Sequence, residues 1–303
     1  MTAQEKRIHA YKRLPRGLFH LVTDKVPGDF IFKTKSHYII GMNTLALASL
    51  RFSINIISFV IMGNHIHLLL EATGIACVQT FQFIKYRLSR LLHLREKISD
   101  TGFILIPVQD GAQLANTILY IDRNPYETEI NILPSGYLWG TGFLAFSQVN
   151  EYFWGMPARN FSAREKEKLL HSRDPIPDHW LIHPGLGMIL PSNYVDTRTT
   201  ERIFGSASMY QTRLARAYES FVHIADGIGE SITFSSKETD DIIFSLCQKH
   251  YGGAKPTELR RWEKEKLILE LHNTYRIPAE TLSQKVDVPI FIIRQLLSSK
   301  KNR

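Results

Sequence analysis

The chain has 303 residues, 44% of them hydrophobic and 22% charged, an ordinary globular balance with enough apolar material for two domains. Lys and Arg outnumber Asp and Glu by 37 to 29, a formal charge of +8 that favours an anionic partner such as nucleic acid. The widely separated Cys77 and Cys247 exclude a disulfide scaffold and a cysteine-rich zinc site; no run reaches the ~18 apolar residues of a membrane span, Met1–Arg16 lacks a signal-like apolar centre, and the expected location is cytoplasmic.

Leu18–Thr23 reads as a first strand, ended by Pro27-Gly28-Asp29. From Ser36 to Leu50 apolar residues recur every three or four positions, as on a helix packed against a sheet. Phe52–Met62 is rich in β-branched and aromatic residues, and Gly63-Asn64 turns it into the run His65-Ile66-His67-Leu68-Leu69-Leu70, predicting a hairpin. A helix over Val78–Lys97 carries Phe81, Ile84 and Leu88 on one stripe and sets Lys85, Arg87 and Arg90 on other faces, where cations could follow a phosphate backbone or simply be solvated. Gly102–Val108 reads as a further strand. The order strand, helix, strand, strand, helix, strand predicts an α+β fold, a split βαβ (ferredoxin-like) antiparallel sheet with helices on one side.

His65 and His67 are two apart on a strand, so both imidazoles project from one face, about 7 Å apart, near enough to share a divalent ion. Two half-buried strand histidines would look the same. After Asp110-Gly111, Ala112–Asn124 reads as a helix stopped by Pro125. Its Tyr120 and Asn124 are four apart and share a face, either as a hydroxyl beside an oxygen ligand or as a core aromatic and a helix cap.

His20-Leu21-Val22-Thr23, Met62-Gly63-Asn64-His65-Ile66-His67 and Tyr120-Ile121-Asp122-Arg123-Asn124-Pro125, in that order, resemble the single-tyrosine HUH transposases, in particular the REP-associated tyrosine transposases. The resemblance spans roughly residues 10 to 147. It implies Tyr120 as nucleophile, His65, His67 and Asn124 as ligands of Mg²⁺ or Mn²⁺, and a single-stranded or hairpin DNA substrate such as a REP-like palindrome. It implies a 5′-phosphotyrosine intermediate and leaves monomer or homodimer open. A phenol of ordinary pKa near ~10 needs activation for such an attack, which a divalent ion supplies. The sequence departs from the family in Tyr126-Glu127-Thr128 after the Asn-Pro pair and in Arg123 before it, which bears on substrate choice. Arg123 joins Lys85, Arg87 and Arg90 as a candidate DNA contact. His20 and Asp24 share a face of the first strand, with a core or rim role expected.

Tyr137–Phe143 carries aromatics suited to base stacking or to core packing. Residues 148–195, rich in proline and glycine, read as a connector between a nuclease domain over 1–147 and a helical domain over 196–303. Asp196–Glu201 opens that domain with Thr199 or Thr200 as cap, and four helices are predicted near Lys237–Tyr251, Pro256–Tyr275, Pro278–Val286 and Pro289–Leu297. The last two suggest a helix-turn-helix, with Arg294, Gln295 and Lys300 as candidate DNA contacts, although Ile290–Ile293 is apolar where base-reading side chains belong; a helical bundle for dimerisation or hairpin binding is the alternative. The competing functional readings are a rolling-circle replication initiator, disfavoured by the absence of a phosphate loop, and a DNA-binding regulator without catalysis.

Overall fold

The computed structural model describes residues 2–25, 30–98, 101–127, 134–147 and 154–299. The turn expected at Pro27–Asp29, together with Thr128 and Lys300, lies outside them. The chain divides into two compact units, Met1–Leu214 and Ala215–Arg303.

The first unit opens with helix α1 (Ala3–Lys12), capped by Thr2 and Glu5, and continues β1 (Gly17–Thr23), α2 (Lys35–Arg51), β2 (Asn55–Ile61), β3 (Ile66–Ala72), α3 (Gly74–Leu91), the single turn α4 (Arg95–Ile98), β4 (Phe103–Val108) and α5 (Ala112–Arg123). The four strands form an antiparallel sheet in the order β2-β3-β1-β4, the expected split βαβ arrangement. Alternation along the strands sorts their side chains into two layers. Phe19 and Leu21, Phe59 and Ile61, and Ile66, Leu68 and Leu70 join Met42, Leu45, Phe81 and Ile84 in one core beneath the crossover helices α2 and α3. Each fully buried aliphatic there contributes about 1.5–3 kcal/mol. The opposite face carries His20, Ser58 and His67, and α5 packs across it.

The β2–β3 hairpin closes with the Met62 amide donating to His65 O (2.9 Å). Gly63 packs closely on Phe30, whose ring would have to shift to admit a Cβ there (2.6 Å), while Gly63 O accepts from the Ile31 and Phe32 amides. The free edge of β2 is covered by the 137–141 segment. Ile61 N donates to Trp139 O, Thr141 N to Phe59 O and the Tyr137 hydroxyl to Ile61 O, and Trp139 stacks on Tyr38 at 4.9 Å. Tyr137 and Trp139 therefore serve packing.

The proline- and glycine-rich stretch is largely built into this first unit. It holds β5 (Met156–Pro157), α6 (Ala163–Leu170), β6 (Leu181–His183) and β7 (Met188–Ile189), a small sheet ordered β5-β6-β7. Trp180, Ile182, Met188, Ile189 and Tyr194 join the main core, and the Asn43 side chain of α2 donates to Gly187 O and accepts from Ile189 N, both at 2.8 Å. Composition marked the turns here but could not show that the intervening apolar residues are buried. The unit ends with α7 (Thr197–Phe204), capped by Asp196 rather than by a threonine, and α8 (Ala207–Leu214).

The second unit is helical: α9 (Tyr218–Ile228), α10 (Ser236–Tyr251), α11 (Arg261–Tyr275), α12 (Ala279–Val286) and α13 (Ile290–Ser299). Leu267, Ile268 and Leu271 of α11, Leu282 and Val286 of α12 and Ile293 of α13 are buried. Asp287 takes the left-handed conformation (φ 54°) between α12 and α13, and the Ser283 hydroxyl donates to Val288 O. No helix among the described residues is long and apolar enough to cross a membrane.

Candidate metal and nucleophile site

The register of β1 on β3 sets Val22 opposite His67 and His20 opposite Leu69, so His20 and His67 are diagonal neighbours on one face. Their rings stack at 5.3 Å, with His20 Nε2 and His67 Nδ1 at hydrogen-bonding distance, 3.1 Å. His65 directly precedes β3, its ring 4.7 Å from that of His67 and edge-on to it. From α5 the Tyr120 ring stands edge-on to both strand histidines, 5.8 Å from His67 and 6.1 Å from His20. All four side chains are buried.

Burial controls the protonation of His67. Loss of solvent, followed by the neighbouring His20 and Lys25, holds His67 well below the usual histidine range, so it is neutral at physiological pH. Neutral imidazole is the form that binds metals. The tautomer is constrained as well: His65 Nδ1 lies 2.7 Å from Asn64 Oδ1, an acceptor, so Nδ1 carries the proton and Nε2 the lone pair. If His67 Nδ1 donates to His20 in the same way, its lone pair also falls on Nε2. Orientation of one ring nitrogen by a neighbour is the arrangement that readies the other for a metal. Two such imidazoles fit a divalent metal ion.

A polar knot holds α5 over this face. Asp122, two residues from Tyr120, is fully buried and accepts hydrogen bonds from Ser58 of β2 (3.2 Å), Thr141 of the edge-covering segment (2.9 Å) and Tyr210 of α8 (2.7 Å). Desolvation pushes its carboxyl up to about 6, partly offset by the three hydroxyl donors.

The remaining sequence candidates are placed differently. Asn124 is buried, and its amide donates back to Tyr120 O (2.9 Å) as a helix-end cap. Arg87 is not on a solvated face: it is buried and donates to Thr44 Oγ1, Leu170 O and His171 O, because α6 ends over it with acceptors to satisfy. Arg123 is also buried, and Lys85 donates to Thr101 O. Arg90 is exposed, as are Gln295 and Arg294, the latter paired with Glu280. Asp24 accepts from the Gly102 amide and has a structural role at the strand end. His20 is the participant whose place the sequence left at the core or rim; its alternation with Val22 on β1 was readable, but the register that brings it to His67 was not.

No family model matches the chain, and no curated protein sequence matches it. A solved structure of the REP-associated tyrosine transposase bound to a REP hairpin overlaps 41% of this chain and 76% of its own, at 12% identity and a TM-score of 0.35. No residue role is carried over from it.

Proposed function

We propose that the first unit is a metal-dependent nuclease and strand transferase acting on single-stranded DNA, with Tyr120 as nucleophile. The observation that carries this reading is the convergence of Tyr120 from α5 on the histidines of β1 and the β2–β3 hairpin, with His67 held neutral. His65 and His67 would hold the ion through Nε2, with Asn124 Oδ1 as an oxygen ligand and His20 setting the tautomer of His67. When bound, a divalent ion supplies Lewis-acid stabilisation of charge on the phosphodiester oxygens.

Tyr120 attacks phosphorus. The Tyr120 Oη–P bond forms as the P–O3′ bond breaks, and the phenol proton lost is balanced by one gained at the departing 3′-oxygen. The 5′-phosphotyrosine conserves the phosphodiester energy for rejoining, so no nucleotide cofactor is required. Arg294 and Gln295 on the exposed side of α13 are the second unit's candidate DNA contacts.

The test is incubation of the full chain with labelled, hairpin-containing single strands and Mn²⁺, followed by denaturing electrophoresis. A covalent protein–DNA adduct is expected from wild type, and none from Tyr120→Phe, from His67→Ala or in EDTA. An adduct that survives Tyr120→Phe, or no adduct from wild type across a broad library of hairpins, refutes the assignment.

A further inference from the structure

On the helical layer of the first unit, on the sheet face opposite His67 and Tyr120, a cavity of about 490 Å³ lies between α3 and the chain that follows α6. Its floor is the Phe83 ring, over which two guanidinium groups sit, Arg51 at 5.3 Å and Arg87 at 5.6 Å. Tyr86, 60% exposed, forms one wall with Arg90 over its ring at 6.0 Å, and Arg173 stands on the other.

The charges do not cancel. Asp174 pairs with Arg51 (3.5 Å) and Glu167 with Arg173 (2.7 Å), so each carboxylate meets one outer arginine. Arg87 donates to the Thr44 hydroxyl and two backbone carbonyls and also feels the charge of Asp174 and the repulsion of Arg90, whereas the contacts that Arg90 shows are to the Tyr86 hydroxyl and ring. Four arginines against two carboxylates, beside an exposed tyrosine ring, form a place for an anion joined to a flat ring.

We infer that this cavity binds a nucleotide, its base stacked on Tyr86 and its phosphate among Arg51, Arg90 and Arg173. Arg87, held by Leu170 O and His171 O, contributes fixed charge from below. An unpaired residue of a nucleic-acid strand and a free nucleotide present the same chemistry here. The strand version deepens the proposed nuclease reading and rests on it, by giving the substrate an anchor away from Tyr120. The cavity also explains the basic face of α3 better than a row of backbone contacts does, since only Arg90 of the three predicted cations is exposed.

The experiment measures binding of labelled oligothymidylate to the full chain by fluorescence anisotropy in EDTA, where no cleavage chemistry runs. Thymidine 5′-monophosphate and inorganic phosphate serve as competitors. Tyr86→Ala and Arg90→Glu are each expected to weaken binding roughly tenfold or more, the scale of one lost base stack, while Tyr86→Trp restores it. The readout is strand affinity in EDTA rather than the covalent adduct, so a failed adduct assay and a failed binding assay are separate results. Displacement of the strand by the mononucleotide identifies the free nucleotide as a ligand. Loss of strand binding in the variants, without competition by the mononucleotide, identifies the strand. Unchanged affinity in both Tyr86→Ala and Arg90→Glu overturns the assignment, and so does inorganic phosphate competing as well as the mononucleotide, because the ring would then be idle.

Discussion

Replacing Asp122 by asparagine isolates the protonation of the knot that holds α5. In the folded chain the carboxyl is raised from 3.8 to about 6, so between those values the native state keeps a proton that the unfolded chain has released. Stability from this group is therefore fully present below pH 3.8 and is lost as pH rises through about 6. Roughly two pH units at about 1.4 kcal/mol each amount to about 3 kcal/mol. Asp122→Asn preserves shape and the carbonyl acceptor and does not titrate. Urea unfolding at a series of pH values from 4 to 7 should show wild type losing about 3 kcal/mol relative to Asp122→Asn, most of it between pH 4 and 6. The difference cancels the other titrating groups, the two chains being otherwise identical. A pH-independent difference would refute the account, because the carboxyl would then be no harder to ionise in the folded chain than in the unfolded one.

His67 shifts in the opposite sense. Its folded value is lowered, so its contribution is intact above about pH 6.5 and is lost as pH falls below that, by up to about 1.4 kcal/mol per pH unit, an acid sensitivity that His67→Gln should remove from urea titrations. The same variant should lower Mn²⁺ affinity at least tenfold by calorimetry if His67 is a ligand, and unchanged affinity would assign it to packing. Gly74→Ala would drive a Cβ to 1.9 Å from Tyr11 O, a backbone atom with little freedom to yield, and should cost roughly 1–3 kcal/mol, read as a lower Tm; an unchanged Tm would contradict that packing. Leu68→Ala empties a fully buried site beneath α2 and α3 and should lower the denaturation midpoint by the equivalent of about 2–5 kcal/mol, with the slope m unchanged.

What the sequence disclosed follows the range of its rules. Period-two alternation put His65 and His67 on one face, and the i, i+4 spacing put Tyr120 and Asn124 on one side of a helix, because both rules act within a single element. The sheet order followed from the succession of elements, which admits few topologies. Contacts depending on partners far apart in the chain were closed to that reasoning. Asp122 takes its donors from positions 58, 141 and 210, and nothing local to Asp122 announces them. Arg87 looked like a surface cation because its helix position faces away from the apolar stripe, yet the end of α6 lands on it with two carbonyls. The Pro-Gly stretch after 156 read as a connector because turns are written locally, whereas the burial of Ile182 and Met188 against α2 is not.

Burial has two opposed effects at this site. It strips the charge from His67, giving the neutral ring a metal requires, and it keeps Tyr120 only 3% exposed, so the phenol meets no phosphodiester in this arrangement. α5 lies on the histidine face, and Asp122 ties that helix through three hydroxyls on three separate segments. In the proposed reading a substrate strand reaches Tyr120 only when its cover shifts, and the three hydroxyl bonds to Asp122 are one restraint on that shift. The Asp122 bonds therefore bear on access to the proposed nucleophile as well as on stability.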